Sequence, residues 1–84
     1  MVTVTRLSGR LRVVIYPNDH RPAHVHVIGP DGEAVFNLNC PDGPPELRES
    51  YGFALHDLNA IARELVAAPI STLCESWRSI HGEP

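Results

Sequence analysis

No stretch of this sequence is apolar over the roughly 18 residues that a membrane-spanning helix needs. The opening segment, Met1-Val2-Thr3-Val4-Thr5-Arg6, lacks the apolar centre of a signal peptide. Neither membrane insertion nor secretion by a cleaved signal is expected. Cysteine is scarce: only Cys40 and Cys74 occur, with no Cys-x-x-Cys, which argues against a disulfide scaffold or thiolate zinc finger and suggests a reducing, cytoplasmic setting. Lysine is absent, so every strong base is an arginine. No glycine-rich phosphate loop, internal repeat or low-complexity tract is found.

What is present suits one small domain spanning residues 1–84, with an apolar content of 43% that supports a single core. The net charge of −3 is unevenly spread. Residues 1–29 carry four arginines against Asp19, whereas residues 30–84 carry nine acids against three arginines. A protein held to nucleic acid through phosphates is usually basic overall, so a nucleic-acid partner is disfavoured.

The pattern of apolar residues divides the chain. Thr3–Leu7 and Arg10–Tyr16 are β-branched-rich runs joined at Ser8-Gly9, a hairpin signal. Ala23–Ile28 and Glu33–Asn39 follow, separated by the turn signal Gly29-Pro30-Asp31-Gly32. Residues 40–52, rich in proline and glycine, read as a loop with a helical turn at Glu46–Ser50. From Phe53 the period changes to 3.6, with Leu58, Ile61 and Leu65 on one stripe and Pro69 closing the run. A second helix is expected after Ser71 or Thr72, with Thr72 and Glu75 at capping-box spacing, Leu73, Trp77 and Ile80 inward and Gly82 as its stop. The predicted fold is α+β and two-layered: a four-stranded, mostly antiparallel sheet over about 3–39, followed by two helices within about 53–81 packed on one face. The predicted core is Leu11, Val13, Ile15, Val25, Val27, Phe36, Leu38, Leu58, Ile61, Leu65 and Trp77.

The densest chemistry lies at Asp19-His20-Arg21-Pro22-Ala23-His24-Val25-His26. On a strand, His24 and His26 share one face with Cα atoms roughly 6–7 Å apart. Two imidazoles so placed can converge on one divalent ion such as zinc, with His20 or Asp19 folding back from the loop as a further ligand or to orient one. Three protein ligands leave a position for water, the arrangement of catalytic zinc sites. The competing reading is structural: histidines half-exposed on a strand, and a carboxylate that pins a turn. Cys40 at a strand end is a conceivable nucleophile, but an inert thiol fits as well, and Cys74 reads as helix packing.

The segment Asp19-His20-x-Pro22-x-His24-Val25-His26-Val27, with Gly32-Glu33-Ala34, Gly52-Phe53, Leu58/Ile61 and Leu73-x-x-x-Trp77, resembles a bacterial family of small proteins. It is the domain of unknown function numbered forty-one-sixty. Ala23 departs from the usual pattern, where a second proline is common, and so does Ala54, where a helix-capping serine is common. Members are often encoded beside another small protein, which implies a protein-binding role in a toxin–antitoxin-like pair. The alternative is a metal-dependent hydrolase or RNase built on the histidines.

With Val25 and Val27 toward the helices, the other sheet face carries Arg10, Arg12, Val14, Tyr16, His24, His26, Ile28, Val35 and Asn37. Arginine and tyrosine favour interfaces. Arg10, Arg12, Tyr16 and Ile28 are therefore the expected partner-binding residues, for the neighbouring gene's protein or for a second copy of the chain.

Overall fold

The computed structural model describes residues 2–67 and 70–82. Five strands, β1 (Val2–Arg6), β2 (Arg12–Ile15), β3 (His24–Ile28), β4 (Glu33–Asn37) and β5 (Glu46–Tyr51), precede two helices, α1 (Leu55–Ala67) and α2 (Ile70–His81). The strands form one antiparallel sheet in chain order, β1-β2-β3-β4-β5. The α+β architecture is as the periodicity indicates, with one strand more than expected.

The extra strand lies where a loop with a helical turn at 46–50 is expected. Its sequence, Glu46-Leu47-Arg48-Glu49-Ser50-Tyr51, shows no apolar alternation because β5 is an edge strand, exposed along nearly all its length. Charged residues suit such an edge, since they discourage pairing with other chains. The second helix also differs from expectation. It reaches back to Ile70, so Thr72 and Glu75 are exposed residues within it and not its cap. The closing Pro69 lies outside the described residues.

Strand register fixes what each face carries. Val13 pairs with Val27, which pairs with Ala34, and Val25 pairs with Phe36. These residues, with Ile15 and Leu38, pack against Ile61, Leu65, Leu73, Cys74 and Trp77 of the helices to form the core. Leu11 and Leu58, expected in the core, are only partly buried at its margin. Ala23 is buried in that core and its carbonyl accepts the Leu38 N–H at 2.9 Å, so the residue that replaces a proline is a packing element.

The second face is built from rows crossing the sheet: Thr3, Val14, His26, Val35 and Glu49 in one, and Arg12, Ile28, Glu33 and Tyr51 in the next. His24 pairs with Asn37 beyond them. Val14 and Val35 are buried on this face. Two glycines hold the sheet's lower corner together. At Gly52 (φ 85°) a Cβ would collide with the Asp31 carbonyl oxygen, and at Gly32 with the Tyr51 carbonyl oxygen, so the β3–β4 turn lies directly on the end of β5.

The two cysteines are bonded to each other, Cys40–Cys74, with Cα atoms 5.9 Å apart. This departs from the expectation of inert thiols. The bond ties the β4–β5 connection to the middle of α2 and sits at the core's edge.

Candidate metal centre

Asp19 is brought to the histidines by a turn. Pro17 fits the second position of the four-residue turn Tyr16–Asp19, since its ring presets φ. The turn is closed by the Asp19 N–H donating to the Tyr16 carbonyl at 3.0 Å. The Tyr16 N–H in return donates to Asp19 Oδ2 at 3.0 Å. The carboxylate is thus fixed by backbone, and only 13% of the side chain remains exposed.

Each histidine has one ring nitrogen committed elsewhere. His24 Nδ1 donates to the Pro22 carbonyl at 2.9 Å, and His26 Nδ1 donates to Glu33 Oε2 at 2.9 Å. Glu33 is held in turn by the Tyr51 hydroxyl, which donates to Oε1 at 2.9 Å. A neutral ring so bonded carries its proton on Nδ1 and presents the Nε2 lone pair; His26 Nε2 also lies 3.4 Å from Asp19 Oδ1. Both Nε2 atoms face Asp19 Oδ2, at 3.5 Å from His24 and 3.3 Å from His26.

The surroundings restrict the rings further. The Tyr16 ring meets His26 edge-on with centroids 4.7 Å apart. Trp77 of α2 lies 5.2 Å from the His24 ring and 4.2 Å from that of His81. His81 Nε2 donates to the Tyr16 carbonyl at 3.0 Å, so the end of α2 is tied to the turn that carries Asp19. Among the described residues the Asn37 Oδ1, in the strand pair with His24, is buried without a hydrogen-bond partner.

One ligand atom each from Asp19, His24 and His26 lies within 4.8 Å of the others. His20 is exposed and stands outside that group, although it lines the same cavity. The residues expected to bind a partner are differently disposed. Arg10 is exposed, Arg12 and Ile28 are half-buried, and Tyr16 is half-buried against His26. Val14 and Val35 are covered within the chain itself and leave no open apolar patch there.

Glu33 and Tyr51 escape a reading of the sequence alone. The signal for Glu33 was available: the turn at Gly29–Gly32 pairs Ile28 with Glu33, which sets Glu33 diagonal to His26 on the same face. Tyr51 required knowledge of β5.

No curated protein and no solved structure matches the chain. A family profile does: DUF4160, a domain of unknown function, matches residues 11–78. That span holds β2 to β5, α1, most of α2 and every member of the Asp19–His24–His26 group. By this match over nearly the whole chain, the protein belongs to the DUF4160 family.

Proposed function

We propose that this protein binds a divalent ion of the zinc class through His24 Nε2, His26 Nε2 and the Asp19 carboxylate, and that the site is of the hydrolytic type. One observation carries the reading. Two atoms each about 2.0–2.1 Å from an ion at the tetrahedral angle stand about 3.3–3.4 Å apart. Asp19 Oδ2 lies 3.5 and 3.3 Å from the two Nε2 atoms. Those separations are long for charge-assisted hydrogen bonds, which run to about 2.7–2.9 Å. His26 Nε2 also lies 3.4 Å from Asp19 Oδ1, again long for such a bond, and a bound cation would hold the three donor atoms at separations of this size. The Nδ1 bonds to Pro22 and Glu33 are the outer contacts by which metal-ligating histidines are oriented. Three protein ligands would leave a fourth position for water, which a bound ion would acidify for attack on a substrate.

Elemental analysis of the purified protein, with thermal unfolding in zinc, nickel or manganese before and after chelation, tests the proposal. Bound metal near one ion per chain, a raised Tm and loss of both in His24→Ala are expected. No metal and no shift at excess ion would reject it.

Binding of a second protein is a separate proposal. It draws on the row Arg12–Ile28–Glu33–Tyr51, in which Tyr51 is 67% exposed. Co-expression with the protein encoded beside it, followed by size exclusion, tests it. Tyr51→Ala or Ile28→Asp should separate a complex or a homodimer; separate elution of the two unaltered proteins rejects the complex, and elution of this chain at monomer size rejects the homodimer. A cytoplasmic location is also part of the reading. The Cys40–Cys74 bond weighs against it, since such bonds are rare in reducing compartments; neither sulfur belongs to the ligand group.

A further inference from the structure

The cavity around the histidine group has walls of two kinds. Its inner wall is Asp19, His24 and His26; its outer rim includes His20, Arg21 and Arg48. The volume is about 270 Å³, slightly below the roughly 300–1,000 Å³ of sites that enclose drug-sized ligands. It suits a small ligand or one end of a larger one.

Arg48 reaches the cavity through an irregularity in the sheet. Val35 pairs with Glu49 but Phe36 pairs with Leu47, so Arg48 is the extra residue of a β-bulge. Bulges re-aim side chains and recur beside functional sites. Here Arg48 and Glu49, which strict alternation would send to opposite faces, line the same cavity. Arg21 approaches from the β2–β3 connection on the other side. Among the described residues neither guanidinium makes an ion pair or hydrogen bond. With neutral rings, the two arginines balance Asp19 and Glu49; counting the Glu33 carboxylate bonded to His26, a divalent ion would leave one positive charge in excess.

We infer that the cavity binds a phosphoryl group, one oxygen joining the ion as a fifth ligand beside the water and others met by Arg21 and Arg48. The inference rests on the metal reading and names its ligand class. Guanidinium forks match phosphate oxygens in geometry and charge. A planar carboxylate, with about four lone-pair sites confined to one plane, has too few directions for an ion and two arginines approaching from different sides. A tetrahedral phosphoryl group has enough.

The test uses cobalt(II)-loaded protein, whose visible spectrum reports the coordination of the ion. It is titrated with inorganic phosphate, phenyl phosphate and acetate. Phosphate or phenyl phosphate should shift the spectrum to saturation, and whichever binds tighter identifies the free ion or the ester as the source. Acetate at equal concentration should do little. Arg48→Ala and Arg21→Ala, both at exposed positions, should each weaken phosphoryl binding by about tenfold or more, with cobalt spectra unchanged before anion is added. Arg63→Ala on α1 should change nothing. A cobalt spectrum that no phosphoryl compound alters, that acetate alters equally, or whose response survives both arginine substitutions overturns the inference alone. Absence of any cobalt spectrum overturns the metal reading and the inference with it.

Discussion

His26 Nδ1 lies 2.9 Å from Glu33 Oε2, and this contact decides which nitrogen of the ring faces Asp19. It also links two strands: His26 pairs with Val35, and Glu33, two residues earlier on β4, reaches it along the diagonal. The Tyr51 hydroxyl on β5 holds the other carboxylate oxygen. Glu33→Gln should therefore weaken metal binding by about 10–100-fold, the usual effect of removing an outer-shell partner. Titration calorimetry with zinc reads this directly; an unchanged affinity would mean that the ring is oriented by other contacts.

The same pair carries a pH signature. The hydrogen bond to Glu33, followed by the charge of that carboxylate, raises the Tyr51 phenol above its usual value near 10. A raised folded value means that the contribution is whole below the unfolded phenol's titration and is lost as pH climbs through the folded one. Tyr51→Phe should remove that part of the alkaline loss of stability above about pH 10. Denaturant titrations from pH 8 to 11 on both proteins are the measurement, and identical alkaline slopes would count against the bond.

Where the β1–β2 turn meets α1 the sign reverses. The Ser8 backbone N–H and then its hydroxyl lower the Glu64 carboxyl from the usual carboxylate range, with contacts of 3.0 and 2.7 Å. This contribution is present above the unfolded value of about 4.3 and lost as pH falls through the folded one. Glu64→Gln should thus show a shallower acid limb below about pH 4.5, with little change in slope at neutral pH.

Gly52 and Gly9 separate backbone strain from collision. Both have positive φ, 85° and 74°. A Cβ at Gly9 meets nothing within 4 Å, whereas at Gly52 it meets the Asp31 carbonyl. Gly9→Ala should cost about 1 kcal/mol, the left-handed penalty alone. Gly52→Ala should cost about 2 kcal/mol or more, since the β3–β4 turn must move from β5. Equal losses in chemical denaturation would show that the turn yields easily.

How much of this was legible depends on what each residue's neighbours reveal. β3 could be read because its core-facing Val25 and Val27 alternate with His24, His26 and Ile28, and β1, β2 and β4 as β-branched or apolar runs set between turn signals. β5 could not, because an exposed edge strand imposes none. His24 and His26 could be placed together from spacing alone, and Asp19 from its position on the preceding loop. Glu33 needed the hairpin register, and Arg48 needed a bulge that no local pattern announces. The Cys40–Cys74 bond joins residues 34 apart in sequence, and spacing gives no distance between them.

That bond closes a loop whose length predicts a stabilisation of about 3–4 kcal/mol in the chain-entropy account. Reduction should lower the unfolding free energy by about that amount while leaving metal affinity unchanged, because neither sulfur is in the ligand group. Denaturation and zinc titration with and without reductant measure the two quantities independently. A parallel loss of zinc binding would implicate the thiols.

The central claim is that two imidazoles and one carboxylate hold an ion. X-ray absorption at the zinc edge of the loaded, reduced protein tests it most directly. The account predicts a first shell of nitrogen and oxygen alone at about 2.0–2.1 Å, with the outer scattering of two imidazole rings, and loss of one ring's contribution in His26→Ala. A sulfur at about 2.3 Å, or a shell unchanged in that variant, would contradict it.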